Sequence, residues 1–198
     1  MKNKAAFAVL AAAAFLVACT TEPPAPSGPK PITFEASEPI RIPVAFIAVD
    51  AYFTPPGRAP NIEHLHKITP ESVARSWAQA RLVATGGPGT ASLAILDGSV
   101  VSEELEKKGG LTGVFGDQQD VKLKARLKAR LTVERPGAQG GGATWTAEVD
   151  AYADRTVLES ASLNERDEAY GKLMQSLAAE FDRSLTAEIQ RSMGPALR

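Results

Sequence analysis

The chain contains one cysteine, so no internal disulfide can form. Histidine is nearly as scarce, with two residues. Both lie in "EHLH", where His64 and His66 follow Glu63. No third ligand stands at a fixed spacing from them, so they read as solvent-exposed loop residues and no metal site is expected. The Gly-rich stretch Gly86 to Thr90 is not followed by Lys and Ser or Thr, which makes it a turn rather than a phosphate loop. The sequence holds no G-x-S-x-G, no Cys-His constellation and no recognisable pairing of carboxylates. Neither catalysis nor a cofactor is therefore expected. Charge of one sign is also missing: 22 Lys and Arg stand against 23 Asp and Glu, a formal net charge of -1. That balance gives no footing for a nucleic-acid partner. No internal repeat is present.

Long apolar runs are lacking as well. The longest, Ala5 to Val17, is about 13 residues, short of the ~20 needed to span a bilayer. Lys2 and Lys4 precede it, which is the pattern of an export signal. The run ends in Leu16-Val17-Ala18-Cys19, which resembles a bacterial lipobox. The resemblance implies cleavage before Cys19, diacylation of its sulfur and acylation of its new amino group. Several acyl chains would hold the protein on a membrane, since each buried CH₂ contributes about 0.8 kcal/mol. Thr20 follows in place of the Asp that retains enterobacterial lipoproteins at the inner membrane, so the same resemblance implies the outer membrane, with the domain facing the periplasm. Residues 1–18 are thus expected to be a signal peptide and residues 19–31 an acylated Cys with a Pro-rich tether. Residues 32–198 are expected to form a single domain.

Pro39 to Phe53 is apolar at successive positions in its centre, as in a strand buried on both faces. Thr69 as N-cap and Pro70 at the first turn start a helix that runs to a stop at Gly86-Gly87. Val73, Trp77, Ala80 and Ala84 form its stripe. Thr90 to Leu105 reads as a strand bent or bulged at Asp97-Gly98. Segments 121–134 and 144–158 alternate with period two. A capping box of Ser162 and Glu165 opens a final helix. Tyr170, Leu173, Met174, Leu177, Phe181, Leu185 and Ile189 are its apolar stripe. The expected fold is α+β: a two-layer sandwich in β-α-β-β-β-α order, with two helices on one face of a four-stranded mixed sheet whose first strand is central and parallel to the second.

Two segments invite a functional reading. "VKLKARLKARLTVE" places Lys122, Lys124, Arg126, Lys128 and Arg130 on one face, at intervals of about 7 Å. If it pairs with residues 144–158, Glu148, Asp150 and Asp154 lie beside those cations and neutralise most of them. The alternatives are a positive surplus that recognises phosphate or carboxylate, such as lipopolysaccharide head groups or an acidic partner surface, and protection of a strand edge by charge. In "KKGGLTGVFGDQQD", Leu111, Val114 and Phe115 sit among four glycines. They either fold back on the domain or form an apolar tip that enters a partner or lipid.

The lipobox, the tether and this element order resemble a group of bacterial envelope lipoproteins. The group includes the lipopolysaccharide-assembly lipoprotein that plugs an outer-membrane barrel and the auxiliary lipoproteins of periplasm-spanning lipid transporters. "ASLAILDGSVVSEELE" looks like the bent strand of the auxiliary lipoproteins. The resemblance implies a non-catalytic accessory to lipid or lipopolysaccharide transport or assembly, with an outer-membrane barrel or transporter subunit as partner. The alternative is a structural or binding envelope lipoprotein that takes an anionic glycolipid or polymer on its basic face.

Overall fold

A computed structural model describes residues 31–34, 37–105, 119–137, 141–158 and 160–198. Its elements are β1 (Ile40–Ile42), β2 (Ile47–Ala51), α1 (Pro70–Arg81), β3 (Leu82–Ala84), β4 (Thr90–Asp97), β5 (Val100–Glu104), β6 (Gln119–Pro136), β7 (Gly142–Leu158) and α2 (Leu163–Ser192), with short 3-10 turns at Glu63–Leu65 and Gly194–Leu197. The α+β class and the mixed sheet agree with expectation.

The long strand β6 organises the molecule. Along one side it pairs antiparallel with β7 over nearly its whole length, from Val121 opposite Val157 to Pro136 opposite Gly142. Along the other side it pairs first with β5 and then with β4. Beyond β4, β2 adds in parallel, Ile47 opposite Ala91. The odd residues of β6 from Leu123 to Val133 are buried under both helices, and the even residues face away. Ala147 and Ala151 of β7 are small where α2 crosses them, which lets the helix approach the sheet closely.

The bend near Asp97 is a bulge with a definite consequence. Ile95 faces Ala129 while Asp97 faces Lys128, so Leu96 is an extra residue on the β4 side. Ile95 and Asp97 share parity and would otherwise share a face. The extra residue leaves Ile95 in the core and turns Asp97 outward. β5 continues in the same phase, with Val100 buried and Glu103 outward opposite Lys122.

Both helices start as expected. Thr69 and Ser72 form a capping box with Pro70 in the first turn, and Ser162 and Glu165 form another. All seven stripe residues named for α2 are buried, and Phe181 meets Trp77 of α1 edge-to-face at 5.4 Å.

Three expectations are corrected. The sheet has five strands rather than four, because the expected single strand over 90–105 ends at Asp97 and resumes as β5 at Val100, and β1 and β3 form a separate two-stranded sheet. Segment 39–53 is not one central strand: it breaks after Ile42, and β2 lies at the sheet edge with Phe46 56% exposed. Pro43 cannot donate to a ladder, which suits a break there. Helix α1 ends at Arg81, because Leu82–Ala84 leaves it to pair in parallel with β1. The buried face of α1 is accordingly Val73, Ala74, Trp77, Ala78 and Arg81, and Ala84 is exposed.

Candidate functional site

The outward face of β6 carries the five cations in a row, and acids flank them on both sides. From β7, Asp154 meets Lys122 at 2.9 Å, Asp150 meets Arg126 at 2.7 Å, and Glu148 takes both Lys128 at 2.9 Å and Arg130 at 2.7 Å. From the other side Glu103 meets Lys124 at 2.6 Å and Asp97 meets Arg126 at 3.1 Å. Five carboxylates therefore answer five cations. Sequence reasoning placed the three acids of β7 and missed Asp97 and Glu103, whose outward direction depends on the extra residue at Leu96. The Asp97-Gly98 bend was the available signal, but the bend alone does not give the phase.

Arg126 is the centre of the row. Its Nε and Nη2 donate to both oxygens of Asp150 at 2.9 and 2.7 Å, and its guanidinium lies 5.4 Å from the centre of the Tyr152 ring. The hydrogen bond to Asp150 raises the Arg126 pKa further above its ordinary value. The same bond holds Asp150 below the ordinary carboxylate range, and hydrogen bonds from Lys128 and Arg130 lower Glu148. The hydrogen bond to Asp150 raises Tyr152.

These shifts fix a direction for pH. Both carboxylates titrate lower in the folded state than in the unfolded chain, where Asp and Glu titrate near about 4. Their contribution is present above that value and is lost as pH falls through the lower folded values. The groups are largely solvated, so each pair is worth about 1 kcal/mol or less. Asp150→Asn is expected to lower the melting temperature at pH 7 by about 2–4 °C. As the pH falls through the lowered folded value of Asp150 the difference should shrink toward zero. Melting curves of the two proteins across that range make the check.

The other candidates are distributed differently. Cys19, Leu111, Val114 and Phe115 lie outside the described residues. His64 is exposed, as read from the sequence. His66 is not a free loop residue: it is half-buried and stacked on Tyr170, with ring centres 3.5 Å apart. Burial lowers its pKa. Burial likewise pushes the Tyr170 phenol well above its ordinary value. Glu63 is 1% exposed, and its Oε2 accepts from the Val100 N–H at 2.9 Å and from Asn61 Nδ2 at 3.4 Å. Among the described residues no three His, Cys, Asp or Glu side chains converge as metal ligands.

A second polar centre sits between the helices and went unnoticed in the sequence. Asp182 accepts from Trp77 Nε1 at 2.7 Å, Arg81 Nε at 2.9 Å, the Ser37 hydroxyl at 3.3 Å and the Thr186 hydroxyl at 3.4 Å. Arg81, 4% exposed, also donates to the Glu38 carbonyl and to Thr186. Asp182, Ser37, Phe34 and Gln175 line an open cleft of about 390 Å³ where the chain enters the domain. Every guanidinium nitrogen of Arg81 is engaged within the protein, so the centre is structural.

No family model matches the chain, and no curated protein matches it. A solved structure described as a minor lipoprotein from Acinetobacter baumannii is similar at 14% identity, with a TM-score of 0.36 and a match covering 74% of this chain and 94% of that one. Membership of a family does not follow from such a likeness.

Proposed function

We propose that the chain is an outer-membrane-anchored lipoprotein whose domain faces the periplasm and serves, without catalysis, as an accessory to lipid or lipopolysaccharide transport or assembly. The observation that carries the reading is Leu16-Val17-Ala18-Cys19 at the end of a short apolar run, followed by a Pro-rich tether. Among the described residues no helix is long and apolar enough to cross a membrane, so membrane attachment in this reading rests on Cys19. All five β6 cations are already paired with carboxylates, which weighs against recognition of an anionic polymer. An anionic ligand would have to displace carboxylates already in place.

Two measurements test the reading. Growth with labelled palmitate should label the wild-type protein and leave Cys19→Ser unlabelled, with the variant leaving the membrane fraction. Photo-crosslinkers placed at Phe115 and, separately, at Lys124 of the lipidated protein should yield a discrete adduct with a barrel or transporter subunit. An unlabelled wild type removes the lipoprotein reading. Absence of any protein adduct from both positions removes the accessory role.

A further inference from the structure

The outer edge of β7 is long, regular and unpaired among the described residues, and its hydrogen-bonding phase can be fixed. The Arg126 N–H donates at 2.9 Å to the Ser99 carbonyl, away from β7. Arg126 and Tyr152 are therefore a non-hydrogen-bonded pair, and in an antiparallel ladder such pairs alternate with bonded ones. Every even residue of β7 from Thr146 to Thr156 then turns its N–H and C=O outward. Two observations agree. Pro136, which has no N–H, falls in the same phase, and the outward Thr146 carbonyl accepts from the Ser192 hydroxyl at 3.2 Å. Glu148, Asp150, Tyr152, Asp154 and Thr156 remain, a row of outward-facing backbone groups about 30 Å long.

The other sheet edges are handled differently. Pro60 to Ile62 runs beside β5, with the Ser102 N–H donating to the Pro60 carbonyl at 2.9 Å and the Ile62 N–H to the Val100 carbonyl at 2.9 Å. Arg75 Nη1 donates at 3.0 Å to the Val49 carbonyl of β2. β7 carries no Pro and no Lys, the residues that usually blunt an edge.

Charge decides what fits. The outward residues of β7 put Glu148, Asp150 and Asp154 at the rim, and the cations that answer them lie one strand inward on β6. The cation of β7, Arg155, is on the opposite face, opposite Leu123. A second copy is a poor occupant. Antiparallel self-pairing centred on any of residues 148 to 152 sets an acid directly against an acid. A centre at Ala153 avoids that, yet gathers six carboxylates on one face without a new cation. We propose that the edge of β7 from Glu148 to Thr156 is a strand-addition site for an extended segment of another protein carrying Lys or Arg at alternate positions. Backbone bonds supply the docking and the alternate cations the selectivity. The inference goes beyond the accessory role and holds whatever that partner's task.

The test uses the full-length lipidated protein in detergent and two nine-residue peptides of alternating threonine, one with lysine and one with glutamate at the intervening positions. Fluorescence anisotropy should show the lysine peptide binding at least tenfold more tightly. Hydrogen exchange should be fast at Glu148, Asp150, Tyr152, Asp154 and Thr156 in the free protein and slow once that peptide is bound. Tyr152→Pro removes an outward N–H that β6 does not use. It should weaken the lysine peptide at least tenfold and leave the Ala151 and Ala153 amides slow. Should that variant not fold, Asp150→Lys with Asp154→Lys serves, and the preference should pass to the glutamate peptide. Binding of neither peptide, equal binding of both, or slow exchange of the five amides in the free protein, which would mean an edge already covered, would each overturn the assignment.

Discussion

Asp182→Ala is expected to destabilise the domain by about 3–5 kcal/mol, because it leaves a buried guanidinium without its countercharge. Arg81 is 4% exposed and the indole N–H of Trp77 is donated to the same carboxylate. Both donors are themselves buried, and a buried donor left unsatisfied carries a desolvation cost. Asp182→Asn keeps an oxygen for Trp77 and Ser37 but not the charge, so its loss should be smaller. Arg81→Met combined with Asp182→Ala should cost less than the two single changes added together, since removing Arg81 removes the uncompensated charge. Urea denaturation of the wild type and the four variants gives the comparison. Equal additivity would mean that Arg81 and Asp182 do not act as a unit.

Gly89→Ala should be comparably severe for a different reason. Gly89 has φ +101°, which L-residues rarely adopt, and a Cβ there would stand 2.1 Å from the Glu134 carbonyl oxygen. Strain at such a backbone costs about 1–3 kcal/mol. The collision adds to it, because the obstacle is backbone of β6 and not a side chain that can swing away. A total of about 3 kcal/mol or more is expected. Gly86→Ala is the control: its φ is +87°, but nothing lies within 4 Å of the added carbon. It should show the backbone strain alone. The difference in denaturation midpoint between the two variants therefore measures how tightly the start of β4 is held against β6.

Where one periodicity governed a segment, the sequence was enough. The stripe of α2 and the alternation of β6 and β7 each answer to a single packed face, and all three appear where the pattern placed them. Competition between neighbours was harder to see. The apolar run 82–84 suits a helix end by composition, yet β1 captures it as a strand, a choice made by a partner some 40 residues away. The run 44–49 looks doubly buried because Val44, Ile47 and Val49 do pack inward, but Phe46, just ahead of edge strand β2, is exposed. For the charged face, alternation gave the cations and their β7 partners. The remaining two acids needed the phase change at Leu96, which is a property of pairing and not of composition. The Asp182 centre joins residues more than 100 positions apart, and no local pattern announces it.

The way the chain enters the domain has a mechanical meaning. Any pull on the segment ahead of Pro31 arrives first at buried Phe34, then at Ser37 and Glu38, which are fastened to Asp182 and Arg81. Next in line is β1, which among the described residues is laddered to β3 alone. Tension is thus shared out between the two helices and a detachable pair of short strands before it reaches the five-stranded sheet. Those attachments take up a pull on the N-terminal segment before it reaches β2 and the five-stranded sheet.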